Sequence, residues 1–228
     1  MIINRDGIEY EKKDGMDFWI VNGQSKGHIT KNLYIPEEID GYPVTLIGKD
    51  AFRKNQMLRY VTLPDTIQII GDHAFCDSQK IKKVEIYKTS NTYALPIRIM
   101  RGAFENCVEL YEVHFNKEID LVDFRIQPSS QFDSCPMLHI FEGELVNIVP
   151  KWAFRYCLSL CNVTFANQVN ITPYAFVHCD NLNTLIFKDG DVECSPANLK
   201  LFKNKTICCE MGSKLSELAY EGYNIKIL

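Results

Sequence analysis

The sequence predicts an α/β repeat solenoid: a right-handed, horseshoe-like coil with a parallel sheet on one face and short helical turns on the other. Three observations predict it. First, a small residue followed by Phe returns at Ala51-Phe52, Ala74-Phe75, Ala103-Phe104, Ala153-Phe154 and Ala175-Phe176, with Gln131-Phe132 as a variant, and successive Phe spacings are 23, 29, 28, 22 and 22. Second, apolar residues keep phase with each Phe: Leu58, Ile81, Leu110, Leu138, Leu160 and Leu182, then Val61, Val84, Val113, Phe141, Val163 and Leu185, then Leu63, Ile86, Phe115, Gly143, Phe165 and Phe187. Gly143 alone breaks the last series. Third, the residue three after each Phe is Asn55, Ser78, Cys107, Cys135, Cys157 or Cys179, always small and polarisable or polar. A single such coil cannot bury its own apolar side, so neighbours must stack into one core.

Taken in order, residues 1–32 read as an N-terminal cap and 33–187 as the repeats. Residues 188–228 read as a degenerate repeat with a closing helix and strand, all within one domain. In each repeat the L-x-x-V-x-L stretch alternates inward and outward residues, the mark of a half-buried strand. The A-F-x-x-C stretch has the length of one helical turn. Upstream pairs such as Val44-x-x-Ile47-Gly48 and Ile67-x-x-Ile70-Gly71 read as a second short strand or turn. The two long spacings place insertions near Lys88-Thr89-Ser90-Asn91-Thr92-Tyr93 and near Asp123 to Pro128, in successive coils, where they would emerge as recognition loops.

The full unit, A-F-x-x-C-x-x-L-x-x-V-x-L-P-x-x-I-x-x-I-G, is similar to the BspA-type leucine-rich repeat, directly from Leu33 to Phe187. Leu33-Tyr34-Ile35-Pro36 with Ile39 to Val44 looks like the family's first repeat, and Gly212 to Tyr220 with Ile225-Lys226-Ile227 resembles its closing elements. The resemblance implies a leucine-rich-repeat solenoid and a role in adhesion or host contact.

Composition narrows the function classes. Formal net charge is −4 with both signs interspersed, so the concentrated basic field that nucleic acid requires is missing. Apolar runs are only a few residues long, far below the roughly 20 of a spanning helix, so membrane insertion is not expected. Met1-Ile2-Ile3-Asn4-Arg5-Asp6-Gly7 lacks the basic and apolar regions of a signal peptide. Nine cysteines without CxxC pairs speak against a disulfide framework or zinc site and for a reducing interior. Cytoplasmic residence is therefore favoured, with secretion or cell-surface display as the alternative. Cysteines in one phase should stack as a ladder of small buried groups.

No phosphate loop, G-x-S-x-G elbow or H-E-x-x-H pair occurs, and the five histidines fall at different phases. No enzyme activity, cofactor or metal is expected. Alternation assigns the outward side of the strands to Asn32, Tyr34, Tyr60, Thr62, Lys83, Glu85, Tyr87, Glu112, His114, Ile140, Glu142, Asn162, Thr164, Thr184 and Ile186. The candidate binding residues among these are Tyr34, Tyr60, Thr62, Lys83, Glu85, Tyr87, Glu112, His114 and Glu142, with Tyr93 from the first insertion. Tyrosines beside mixed charges suit an unidentified protein partner, aromatic anchors carrying much of such binding. A monomer is expected. Two alternatives stand beside this reading. One is a polysaccharide-binding or polysaccharide-cleaving solenoid, which would need Glu85 and Glu112 close together with one carboxyl raised in pKa. The other is a structural piece of a larger assembly.

Overall fold

A computed structural model describes residues 1–27, 30–89, 95–122, 128–165, 169–188, 203–209, 211, 216 and 223–228. Strands dominate. Ile2–Arg5, Ile8–Glu11 and Trp19–Gln24 form an antiparallel meander, and the last of them pairs parallel with Tyr42–Ile47 to join the repeats. The indole of Trp19, wholly buried, donates to Ile39 O at 3.0 Å and pins this cap to the first coil.

Beyond the cap the strands lie in parallel ladders, apart from the short antiparallel pairing of Glu38–Ile39 with Tyr42–Ile47. The wider one runs through Asn32–Tyr34, Tyr60–Pro64, Lys83–Tyr87, Glu112–Leu121, Ile140–Val146, Asn162–Phe165, Thr184–Phe187, Thr206–Cys209 and Asn224–Ile227. The narrower one links Tyr42–Ile47, Ile69–Ile70 and Ile97–Ile99, and a separate pair joins Ile148–Val149 to Asn170–Ile171. Register keeps Leu33, Val61, Val84, Val113 and Phe141 in one row, each buried, because a slip by one would turn this whole row to solvent.

One coil departs from the pattern. Glu112–Leu121 is ten residues long and spans both ladders, its first half beside Lys83–Tyr87 and its second beside Ile97–Ile99. The irregularity between His114 and Glu118 explains Gly143: a Cβ there would stand 2.3 Å from Ile119 Cδ1. Past this point Phe165 pairs with Leu145 and not with Gly143 as the repeat spacing implied. The slip is of two residues, so every side chain keeps its face.

The expected helical turns are replaced. In each coil the residues two before and two after the Phe have positive φ: Asp50 and Lys54, His73 and Asp77, Gly102 and Asn106, Ser130 and Ser134, Trp152 and Tyr156, Tyr174 and His178. A left-handed residue every fourth position interrupts a right-handed helix. Alternate amides then point at the next coil: Asp50 N reaches Asp72 O at 2.9 Å, Phe52 N reaches Ala74 O at 2.7 Å, and Lys54 N reaches Cys76 O at 2.8 Å. The amides between them close locally, as Arg53 N does on Asp50 O at 3.1 Å. A helix would spend these amides internally; the broken form shares them between coils, so the same backbone that satisfies itself also stacks the array.

Inside this turn column the Phe rings of consecutive coils stack face to face, from Phe52 on Phe75 at 5.3 Å and 9° through Phe75 on Phe104 at 5.2 Å and 3° to Phe154 on Phe176 at 5.2 Å and 9°. The cysteines form the ladder anticipated from their phase, and each has a polar task. Cys107, Cys135, Cys157 and Cys179 donate to the carbonyls of Phe75, Phe104, Phe132 and Phe154 at 3.2, 3.1, 3.1 and 2.9 Å. Ser78 does the same to Phe52 O at 2.6 Å. Burial pushes the thiols of Cys107, Cys135 and Cys157 well above the ordinary range, so they stand as neutral donors.

Candidate binding face

The wider ladder aligns Asn32, Tyr60, Lys83, Glu112 and Ile140 in one row and Tyr34, Thr62, Glu85, His114 and Glu142 in the next. These residues are exposed or half-buried while Leu33, Val61, Val84, Val113 and Phe141 between them are buried, so all the candidates on the strands share one surface. Tyr93 lies outside the described residues, as do residues 90–93 and 123–127 of the two insertions.

The middle of the face is a charge network crossing four coils. Lys83 Nζ sits 2.7 Å from Glu85 Oε2 and 4.0 Å from Glu112 Oε2. Thr62 Oγ1 donates to the other Glu85 oxygen at 3.2 Å. His114 bridges Glu112 at 3.0 Å through Nε2 and Glu142 at 2.6 Å through Nδ1. The hydrogen bond from Lys83 holds the Glu85 carboxyl below its ordinary pKa, and the same bond raises Lys83. Partial burial pulls His114 down, but the bonds to Glu142 and Glu112 outweigh it, and the net shift is upward.

At the N-terminal end of the face Tyr34 stacks on Tyr87 at 5.1 Å and 13°, and Tyr87 OH donates to Ile35 O at 3.0 Å. Burial raises Tyr87 far above the ordinary phenol. Tyr34 and Tyr60 are 60% and 48% exposed among the described residues, which is large for aromatic rings. Along the edge where the strands begin lies a groove of about 580 Å³ lined by Tyr60, Lys82, Lys83, Glu109, Tyr111, Glu112 and Met137. Lys82, Glu109, Tyr111 and Met137 were not among the candidates. They precede the strands, outside the alternating pattern, and only the stacked register brings them together.

The arrangement does not fit glycoside cleavage. Lys83 stands between Glu85 and Glu112, and the carboxyl it touches is lowered, opposite to what a general acid needs. Among the described residues no cluster of three or more His, Cys, Asp and Glu surrounds a metal position, and no helix is long and apolar enough to cross a membrane.

Stacked coils presenting one continuous strand face define the class: a strand-faced repeat scaffold. The profile of the BspA type leucine rich repeat region matches in six copies across residues 30–120 and 93–207, and the chain belongs to that family. Among solved structures it is similar to a leucine rich cell surface protein of Faecalibacterium prausnitzii A2-165, at 24% identity and a TM-score of 0.58. The match covers 85% of this chain and 55% of that one, so the chain spans little more than half of that relative. It is also similar to the T. pallidum leucine rich repeat protein, at 21% identity and a TM-score of 0.61, over 98% of this chain and 97% of that one. At these identities the likeness speaks to the fold. No curated protein matches.

Proposed function

We propose that the chain is a non-enzymatic scaffold that binds a protein partner through the strand face, with the inserted stretches at 88–93 and 123–128 contributing loops. The observation that carries this reading is the set of face side chains already held in place: the Tyr34–Tyr87 stack beside the Lys83, Glu85, Glu112, His114 and Glu142 network. Side chains ordered before contact lose less entropy on binding, and exposed tyrosines provide the anchors. Membership of a repeat family of binding scaffolds supports it. The array is taken as right-handed and curved with its strands on the concave side, following the handedness of parallel crossovers. It is taken as one domain capped by 1–32 and 188–228.

The site of action we propose is the cell surface. The F. prausnitzii relative is called a cell surface protein, and the expectation of cytoplasmic residence finds no support. Its argument from thiols loses force, because the ladder uses them as hydrogen-bond donors, a task independent of compartment.

The test is affinity capture with the wild-type chain against a variant with Tyr34, Tyr60, Glu85 and Glu112 changed to alanine, followed by titration of the purified partner. A partner retained only by the wild type supports the strand face. Equal capture by both rejects it. Sedimentation velocity at micromolar concentration should show a monomer; self-association would favour a structural piece of a larger assembly.

A further inference from the structure

The two ladders end differently at the N-terminal cap. The narrower one is continued past Tyr42–Ile47 by Trp19–Gln24 and then by the hairpin of Ile8–Glu11 with Ile2–Arg5. The wider one stops at Asn32–Tyr34, which among the described residues pairs only with Tyr60–Pro64. Lys31 O accepts from Tyr60 N at 3.2 Å, and Ile35 N donates to Thr62 O at 3.1 Å. Successive residues of a strand turn their backbone groups to opposite sides, so the N–H and C=O of Asn32 and Tyr34 point away from the array. Thr30 Oγ1 donates to Asn32 O at 2.7 Å. Among the described residues, no hydrogen bond reaches the Asn32 N–H or either backbone group of Tyr34.

A groove of about 470 Å³ runs along this free edge. Asn32, Leu33 and Tyr34 line it and no residue of Tyr60–Pro64 does, so it lies on the side opposite the neighbouring coil. Arg5 and Asp6 of the cap hairpin line it as well, together with the buried side chains of Ile8 and Tyr10. The inner row of Leu33, Val61, Val84 and Val113 thus ends beside open space and not on a further strand.

We propose that this edge takes up an extended segment of a partner protein as one more parallel strand. Its backbone would meet the free groups of Asn32 and Tyr34, and every second side chain, apolar, would extend the inner row over Ile8 and Tyr10. In a parallel strand the same residues that point inward also turn their amides to the later coil, as Leu33 does toward Tyr60–Pro64. The site adjoins the strand face but does not rest on it, because main-chain groups supply the contact.

The probe is a synthetic peptide of residues 79–88, blocked at both ends, whose sequence already serves in the array as a strand paired on both edges. Lys82 O accepts from Glu112 N at 3.1 Å, so the amides of Val84 and Ile86 face the later coil and those of Lys83 and Glu85 the earlier one. Titrated into the whole chain, the peptide should slow hydrogen exchange at the Asn32 and Tyr34 amides. N-methylation at Val84 and Ile86 should weaken binding about tenfold, and N-methylation at Lys83 and Glu85 should leave it nearly unchanged. Asn32→Pro, which removes a donor from the free edge and no bond from the ladder, should weaken binding without moving the urea midpoint. A chain carrying Glu85→Ala and Glu112→Ala should bind as the wild type does, which separates the edge from the strand face. Equal weakening by both methylated peptides, binding lost with the two glutamates, no saturation at millimolar peptide, or an edge already filled by a second copy in sedimentation would overturn the proposal.

Discussion

Tyrosine at φ 67 is an unfavourable choice for an exposed position, and Tyr174 is 64% exposed there. Left-handed backbone costs a bulky L-residue roughly 1–2 kcal/mol, and Asp50, Gly102 and Ser130 serve at the equivalent place in three of the five other coils. Tyr174→Asn is therefore expected to stabilise the fold by about 1 kcal/mol, read from the urea midpoint; a loss of stability would mean that ring packing outweighs backbone strain. His114 supplies a pH test. Its folded pKa lies above the ordinary 6.5, so the protonated ring's contribution to stability is complete below pH 6.5 and disappears as pH rises through the raised folded value. His114→Gln should flatten this fall, as urea titrations from pH 6.5 upward would show, and an unchanged slope would exclude the histidine as its source. At this scale the strand-face residues were legible, because period-two alternation dictates which side chains look outward. The left-handed turn residues were not, since Trp152, Tyr156 and Tyr174 are among the types least indicative of positive φ.

The unit of cohesion is the column that runs from coil to coil. In the thiol column what matters is the donor and not the sulfur, as Ser78 shows by reaching Phe52 O of the preceding coil with a hydroxyl. Cys135→Ala should cost about 1 kcal/mol more than Cys135→Ser, the difference being the hydrogen bond to Phe104 O. Equal losses would reduce the column to simple space filling. In the ring column, Phe104 is stacked on Phe75 and Phe132 and wholly buried, so Phe104→Ala should cost about 3–5 kcal/mol in chemical denaturation. The sequence announced both columns through their fixed distance from the Phe. It also marked Gly143 as an anomaly without giving its cause, because the cause is a ten-residue strand that spans both ladders and brings Ile119 against it. Helical turns were inferred from length alone; the turns form otherwise because an amide that reaches the next coil is unavailable to its own.

Each coil touches chiefly its neighbours, so stability should vary with position along the array. Under mild urea, thiol labelling with peptide mapping should reach Cys179, toward one end, before Cys135 in the middle. Uniform protection would indicate a single all-or-none unit. The direction of the turn bonds has another consequence. Within the turn column the coil-to-coil amides from Asp50 to Tyr156 donate toward the later coil, whereas elsewhere bonds such as Gly71 N to Ile47 O and Lys82 N to Arg59 O run back toward the earlier one. Along the turn column the peptide dipoles so aligned add, like those of a helix, and give that column a polarity from coil to coil. The turn column thus has a direction of its own, and a further coil could extend it only in the same sense.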